Sequence, residues 1–321
     1  MTNIRRWGLI AAAIGSFGFV SLAQATPIDV LWYTYADPAS EYRQKISQLS
    51  TMVHTIPQSG GSAWNLTYWD ATSATPNLSA YDVLVIESGE AFRTGAPGGP
   101  LATPNYSGIL NSRAAIEAAR GERTFITGAD SDFHAVRGDT GNIPDNPTAP
   151  DGGGKCSPAI TSADCWDGAL GHTVNAINWA GSGKGLGIVS FLDGEFDGSF
   201  WWGNADSFLR DELSGKVVYS GNEQNPIINP LQATHFLNTG LTSQGLSDWD
   251  NSFHAFFRPV DGYTAIVDSS AKPSFSVAIA KVAASNHEQV SQVSEPGIVT
   301  LMLVGLGVMS AISHRRTISR V

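Results

Sequence analysis

The densest group of chemistry-bearing side chains is Asp130-Ser131-Asp132-Phe133-His134, in a stretch that continues to Asp139. It directly follows Thr124-Phe125-Ile126-Thr127, a run with the composition of a β-strand. In an open parallel sheet, ligands collect beyond the carboxyl ends of the strands. Two carboxylates and an imidazole placed there are candidates for general acid–base work, or for holding a divalent cation, the cofactor such a set would take. The plainer reading is a capped loop, since Asp and Ser turn and cap backbone routinely. His254, between Phe253 and Phe256-Phe257, is a further candidate base, although a histidine among aromatics is more often a satisfied, partly buried one. Ser131 lacks the Gly-x-Ser-x-Gly frame of an exposed serine nucleophile. Asp193-Gly194-Glu195-Phe196-Asp197-Gly198 opens like a calcium loop, with acids at alternate positions and glycine sixth. Its twelfth position is Asn204 rather than the bidentate Glu such loops require, which favours a polar turn. Trp201-Trp202 offers a sugar-stacking platform, for which the expected partner is an extracellular polysaccharide; burial in the core is the commoner fate of such a pair.

The elements that must position these residues alternate between strand and helix. Ile28 to Tyr33 is a short apolar run, and after Asp37-Pro38 residues 39–54 take helical spacing, with Tyr42, Ile46, Leu49 and Val53 on one face. Trp64 to Trp69 alternates like a strand, and Val83-Leu84-Val85-Ile86 is apolar throughout, as in a strand buried on both faces. A Gly/Pro-rich loop leads to a helix over residues 109–119 that stops at Gly121, and then to the strand at 124–127. Beyond a loop reaching Trp166 the pattern predicts a helix to Ala180, a buried strand over 186–192 and a helix over 206–213. Repeated strand–helix units predict an α/β fold, an open, mostly parallel sheet with helices on both faces, holding Val30, Val83, Ile126 and Val189 in neighbouring strands.

Tyr81 to Ile86, a helix ending Ala119-Arg120-Gly121, and Thr124 to Gly128 together resemble the first half of class I glutamine amidotransferase-like domains. His235-Phe236-Leu237-Asn238-Thr239-Gly240-Leu241, with Trp249 and His254 after it, resembles the late segment of the ThuA-like branch. The resemblance covers residues 28–268 and implies a flavodoxin-like sheet. In catalytic amidotransferases a strand runs into a tight turn bearing cysteine, and here Asp130 takes that place. A carboxylate cannot form the acyl intermediate of that chemistry, so the resemblance implies a scaffold without amidotransferase activity.

The two ends of the chain carry their own signals. Arg5 and Arg6 precede an uncharged stretch over residues 8–22, and Ala23-Gln24-Ala25 supplies small residues at the positions a signal peptidase must admit. That order defines a secretory signal over residues 1–25, and the apolar stretch is short for a span. At the other end Ser294-Glu295-Pro296 precedes an uncharged run over residues 298–313, closed by His314-Arg315-Arg316 and Arg320. The order resembles the PEP-CTERM sorting tail of Gram-negative bacteria, with serine where the family usually has the first proline. The resemblance implies a transient transmembrane helix in the inner membrane, an exosortase-type sorting protease as partner, and release to the cell surface or extracellular matrix. The basic residues would stay on the cytoplasmic side. Residues 26–281 are then the folded domain, 282–293 a flexible tether and 294–321 the sorting tail.

Without the terminal signals, residues 26–293 carry 14 basic and 28 acidic side chains, a net charge of −14. No basic patch appears in the sequence, which argues against nucleic acid as a partner. Cys156 and Cys165 are the two cysteines, and their loop-like interval in an exported chain predicts a disulfide. Closing a loop of that length stabilises by roughly 2.5 to 3 kcal/mol in the chain-entropy model. The expectation is an exported surface or matrix-associated protein with a non-catalytic binding domain; a secreted hydrolase, metal-assisted and centred on residues 128–139, is the alternative.

Overall fold

Strand-forming runs that are apolar at every position need cover on both sides, and that requirement organises the molecule. The computed structural model describes residues 26–36, 38–55, 62–88, 105–137, 167–192, 201–219, 223, 225–243, 245–246 and 253–282. The strands are β1 (Ile28–Tyr33), β2 (Trp64–Trp69), β3 (Val83–Ile86), β4 (Arg120–Thr127), β5 (Leu186–Ser190), β6 (Val217–Val218), β7 (Ile227–Ile228), β8 (Phe256–Phe257), β9 (Thr264–Asp268) and β10 (Ser276–Val282). The helices are α1 (Glu41–Met52), α2 (Ser107–Asn111), α3 (Arg113–Ala119), α4 (Ser131–Arg137), α5 (Asp167–Gly181) and α6 (Arg210–Leu213). One mixed, mostly parallel sheet joins all ten strands, with the main order β2-β1-β3-β5-β4-β10-β8-β6.

The left side is parallel: Val30 pairs with Val83, Val85 with Val189 and Ile126 with Ser190. The neighbourhood of β1, β3, β5 and β4 is therefore the one the apolar runs predict. Alternation sends Val30, Trp32, Val83, Val85, Phe125 and Val189 to one face, under α1 and α5. Leu31, Tyr33, Leu84, Ile86, Ile126 and Ile188 go to the other, against Ile109, Ile116 and Leu213 of α2, α3 and α6. Burying a side chain of this size stabilises by about 1.5–3 kcal/mol. The α1 stripe of Tyr42, Ile46 and Leu49, with Val53 beyond it, is buried as its spacing requires. Its start is fixed by Ser40, whose hydroxyl accepts from the Arg43 N–H at 3.3 Å.

Several sequence expectations are corrected. The helix over 109–119 is two short ones, α2 and α3, that meet at Ser112. Helix ends at Ala119, and Arg120 already belongs to β4, which starts before Thr124. The stretch after Asp130 is not loop from the outset, because α4 follows the strand within a few residues. The helix expected over 206–213 is only α6. Strands β6 to β10 extend the sheet by antiparallel pairing; β10 lies antiparallel to β4, and the short β6, β7 and β8 lack enough length to show a period. Val282, expected to begin the tether, closes β10. Trp201 and Trp202 are buried, the Trp202 indole N–H donating to Ser190 Oγ at 3.0 Å, so the pair is core and presents no stacking platform. Among the described residues no helix is long and apolar enough to cross a membrane. Residues 1–25, Cys156, Cys165, Asp193, Glu195, Asp197 and 283–321, with Ser294, Glu295, Pro296 and the apolar run, lie outside the described residues.

Candidate functional site

After β1 the chain crosses through α1 to β2 on one side, then passes to β3 on the other side of β1. The reversal opens a crevice beyond the carboxyl ends of β1 and β3, the place where open α/β sheets hold ligands. Thr34 and Tyr35 leave β1 there, Glu87 and Ser88 leave β3, and Gly128, Ala129 and Asp130 leave β4. Glu87 links the two sides of the crevice: its Oε1 accepts from the Tyr35 N–H at 2.7 Å, and the Thr34 hydroxyl bonds the same carboxyl.

Asp130 stands immediately before α4, and its carbonyl accepts from the His134 N–H at 3.1 Å. The i, i+4 spacing then puts both side chains on one face, with His134 Nε2 3.3 Å from Asp130 Oδ2. His254 arrives from far along the chain. Its N–H donates to the Gly128 carbonyl at 2.7 Å, Phe253 bridges to Ala129, and its Nε2 lies 3.6 Å from Asp130 Oδ1. Glycine is required at 128, since a Cβ there would sit 2.1 Å from the Ala255 carbonyl oxygen. Behind the turn, His172 of α5 packs edge-on to Phe125, and its Nε2 lies 3.3 Å from Thr127 Oγ1. Thr173 donates to Ser131 Oγ at 3.2 Å, which ties the serine into the scaffold.

Asp132 turns elsewhere. Its Oδ2 accepts from the Tyr42 hydroxyl of α1 at 2.7 Å and from the Ser88 N–H at 3.1 Å. Asp130, Asp132 and His134, the set expected to converge, therefore divide: Asp130 and His134 meet each other and His254, while Asp132 joins Tyr42, Ser88 and the field of Glu87. Among the described residues no group of three His, Cys, Asp or Glu side chains is arranged to hold a metal ion. The divalent-cation expectation for Asp130, Asp132 and His134 does not fit this arrangement.

Burial sets the charges. Asp130, Asp132 and Glu87 are each fully buried, and among the described residues one of the Asp132 oxygens and one of the Glu87 oxygens meet no donor. Burial pushes the Asp132 carboxyl up to about 6 against the opposing bonds from Tyr42 and Ser88. Burial likewise raises Glu87 well above the usual carboxylate range, and the nearby Asp132 adds to it. Burial would also raise Asp130, but the charges and bonds of His134 and then His254 outweigh it and hold that carboxyl far below its ordinary value. Burial lowers His172 to about 3, so it is neutral. The centre thus holds one ionised carboxylate between two imidazoles, beside two carboxyls that retain protons readily. Such an arrangement can move or store a proton, and His254, with a side chain 17% exposed, is the member nearest solvent.

Sequence reading finds Asp130, Asp132, His134 and His254 but misses Glu87, Ser88, Tyr42 and His172. Glu87 carried a signal, being a lone acid directly after the apolar run of β3; Tyr42 reads only as a core position of α1. No family model, no curated protein and no solved structure matches this chain, so the chemistry of the centre rests on its own geometry.

Proposed function

We propose that this is an exported surface or matrix-associated protein whose α/β domain, on a flavodoxin-like, amidotransferase-like scaffold, binds a ligand without turning it over. The observation that carries the binding reading is the division of the polar centre. Asp130 stands where the resemblance would put a nucleophilic cysteine, fully buried between two imidazoles, and Asp132 is committed to Tyr42 and Ser88. Export and sorting rest on the two terminal signals, through which the chain would be held in the inner membrane until an exosortase-type protease releases it.

A hydrolase is the second reading, favoured by one observation: the part-exposed His254 faces a buried, ionised Asp130, the pairing that orients an imidazole as a general base. One experiment separates the two. Mature wild-type, Asp130→Asn and His254→Ala proteins are applied to isolated extracellular matrix from the host and to a panel of ester, amide and glycoside substrates. Retention of the wild type, reduced in Asp130→Asn and without product release, supports binding. Turnover that disappears in His254→Ala would overturn binding in favour of hydrolysis.

A further inference from the structure

The ends of the sheet are not alike. β6 and β7 are two residues long, Lys216 stands directly before β6, and the Ile228 N–H of β7 is taken by Ser243 Oγ at 3.0 Å. Shortness, charge and cover are devices by which sheet edges avoid pairing with other chains. β2, which ends the sheet on the parallel side, has neither the shortness nor the charge. It runs six residues, and Ser62 to Trp69 contains no charged residue, no proline and no glycine.

The register shows which groups this edge offers. The Ala63 carbonyl accepts from the Ile28 N–H at 2.8 Å and the Trp69 carbonyl from the Thr34 N–H at 2.9 Å, so Asn65, Thr67 and Trp69 turn their backbone groups toward β1. Trp64, Leu66 and Tyr68 therefore aim N–H and C=O outward, and among the described residues nothing bonds those groups. The strand is held ready for pairing. Trp64 Nε1 donates to Asn178 Oδ1 at 2.7 Å, and the Tyr68 hydroxyl donates to the Arg43 carbonyl of α1 at 2.8 Å, with the Arg43 guanidinium 4.2 Å over the ring. On the opposite face Asn65 and Thr67 are exposed.

We infer that this edge is a homodimer interface, in which β2 of one copy lies antiparallel to β2 of a second about a twofold axis at Leu66. The strand is its own complement in that register. Trp64 pairs with the partner's Tyr68, Leu66 with the partner's Leu66 and Tyr68 with the partner's Trp64, each exchanging both backbone bonds, about six in all. Aromatic and aliphatic pairs then meet on the α1 face, and Asn65 meets the partner's Thr67 on the other, with no like charges opposed. A slip of one residue would set outward groups against inward ones. Charge selects the same place: residues 26–293 carry −14, so two copies repel except where an uncharged strand lets them meet. The contact is isologous and closes at two copies. The inference does not rest on the polar centre.

The test is sedimentation of the mature exported protein from about 1 to about 300 µM, with amide hydrogen exchange at both ends of the range. An edge-to-edge contact is smaller than a standard interface, so the Kd should be on the order of 10 µM. Screening of the net charge should tighten it as salt rises from about 50 to about 500 mM. The N–H groups of Trp64, Leu66 and Tyr68 should gain protection with concentration, while those of Asn65, Thr67 and Trp69, bonded to β1, stay protected throughout. Asn65→Lys with Thr67→Lys sets lysines opposite each other across the axis and should weaken the dimer about tenfold or more, although it lessens the overall repulsion. Asn65→Lys with Thr67→Glu sets opposite charges there and should restore it. Both positions are exposed, so the urea midpoint of dilute protein should move no more than surface substitutions move it. A monomer across the whole range would overturn the inference, as would a dimer that leaves the three outward N–H groups unprotected or that the paired lysines do not weaken. Protection of those groups in the dilute monomer would assign the edge to the chain's own cover and overturn it equally.

Discussion

Replacing Asp132 with Asn should make the protein relatively more stable as the pH rises. In the folded protein the Asp132 carboxyl is raised from 3.8 to about 6, chiefly because burial disfavours its charged form. A raised folded-state value means the folded chain holds the proton more tightly than the unfolded one. The resulting stabilisation is fully present below about pH 3.8 and is lost as the pH rises through about 6. Two pH units at 1.36 kcal/mol each give a swing of about 3 kcal/mol. Asparagine keeps an oxygen to accept from Tyr42 and Ser88 but cannot ionise. The stability of Asp132→Asn minus that of wild type should therefore grow by about 3 kcal/mol between about pH 4 and about pH 8. His172, lowered to about 3 by burial, works in the opposite direction in the same range, favouring the folded state as the pH rises. It is present in both proteins and drops out of the difference. Glu87, also raised, would feel a weaker neighbouring charge in the variant, which adds to the effect with the same sign. The assay is urea unfolding followed by tryptophan fluorescence at a series of pH values, with the slope checked for constancy. A difference that stays flat across the range would refute the claim that Asp132 is buried with a raised value. Tyr42→Phe provides an internal control: loss of the 2.7 Å bond should move the midpoint of wild-type titration upward.

Gly128→Ala should lower stability by about 3 kcal/mol or more, the upper range for overpacking, because the new methyl would overlap the Ala255 carbonyl oxygen at 2.1 Å; an unchanged urea midpoint would contradict the close approach that brings His254 to Asp130. Cys156 and Cys165 should resist thiol labelling in native protein without reductant, and two freely labelled thiols would rule out the disulfide. Glu295→Ala combined with Pro296→Ala should leave full-length protein in the inner membrane, whereas wild type should lose its C-terminal peptide and leave that fraction. Both proteins remaining uncut and membrane-bound would make the tail a plain anchor.

The sequence by itself determined the left half of the sheet. Runs such as Val83-Leu84-Val85-Ile86 have no polar face to offer water, so they must be interior strands, and helix-length segments between them force parallel crossovers. It also marked Asp130 and His134 as members of one polar cluster after a strand, although it read that stretch as loop, and the helix α4 is what brings the two side chains together. What only the tertiary structure decided depends on long-range contacts. His254 reaches Asp130 across more than a hundred residues because Gly128 admits the 253–255 backbone. Asp132 parts from Asp130 because Tyr42, on a helix packed over the other strands, offers it a donor. Glu87 belongs to the centre because the sheet order places the ends of β1 and β3 side by side. The antiparallel strands β6 to β8 were illegible for a related reason: at two residues each they hold no periodicity, and pairing with neighbouring strands alone makes them strands.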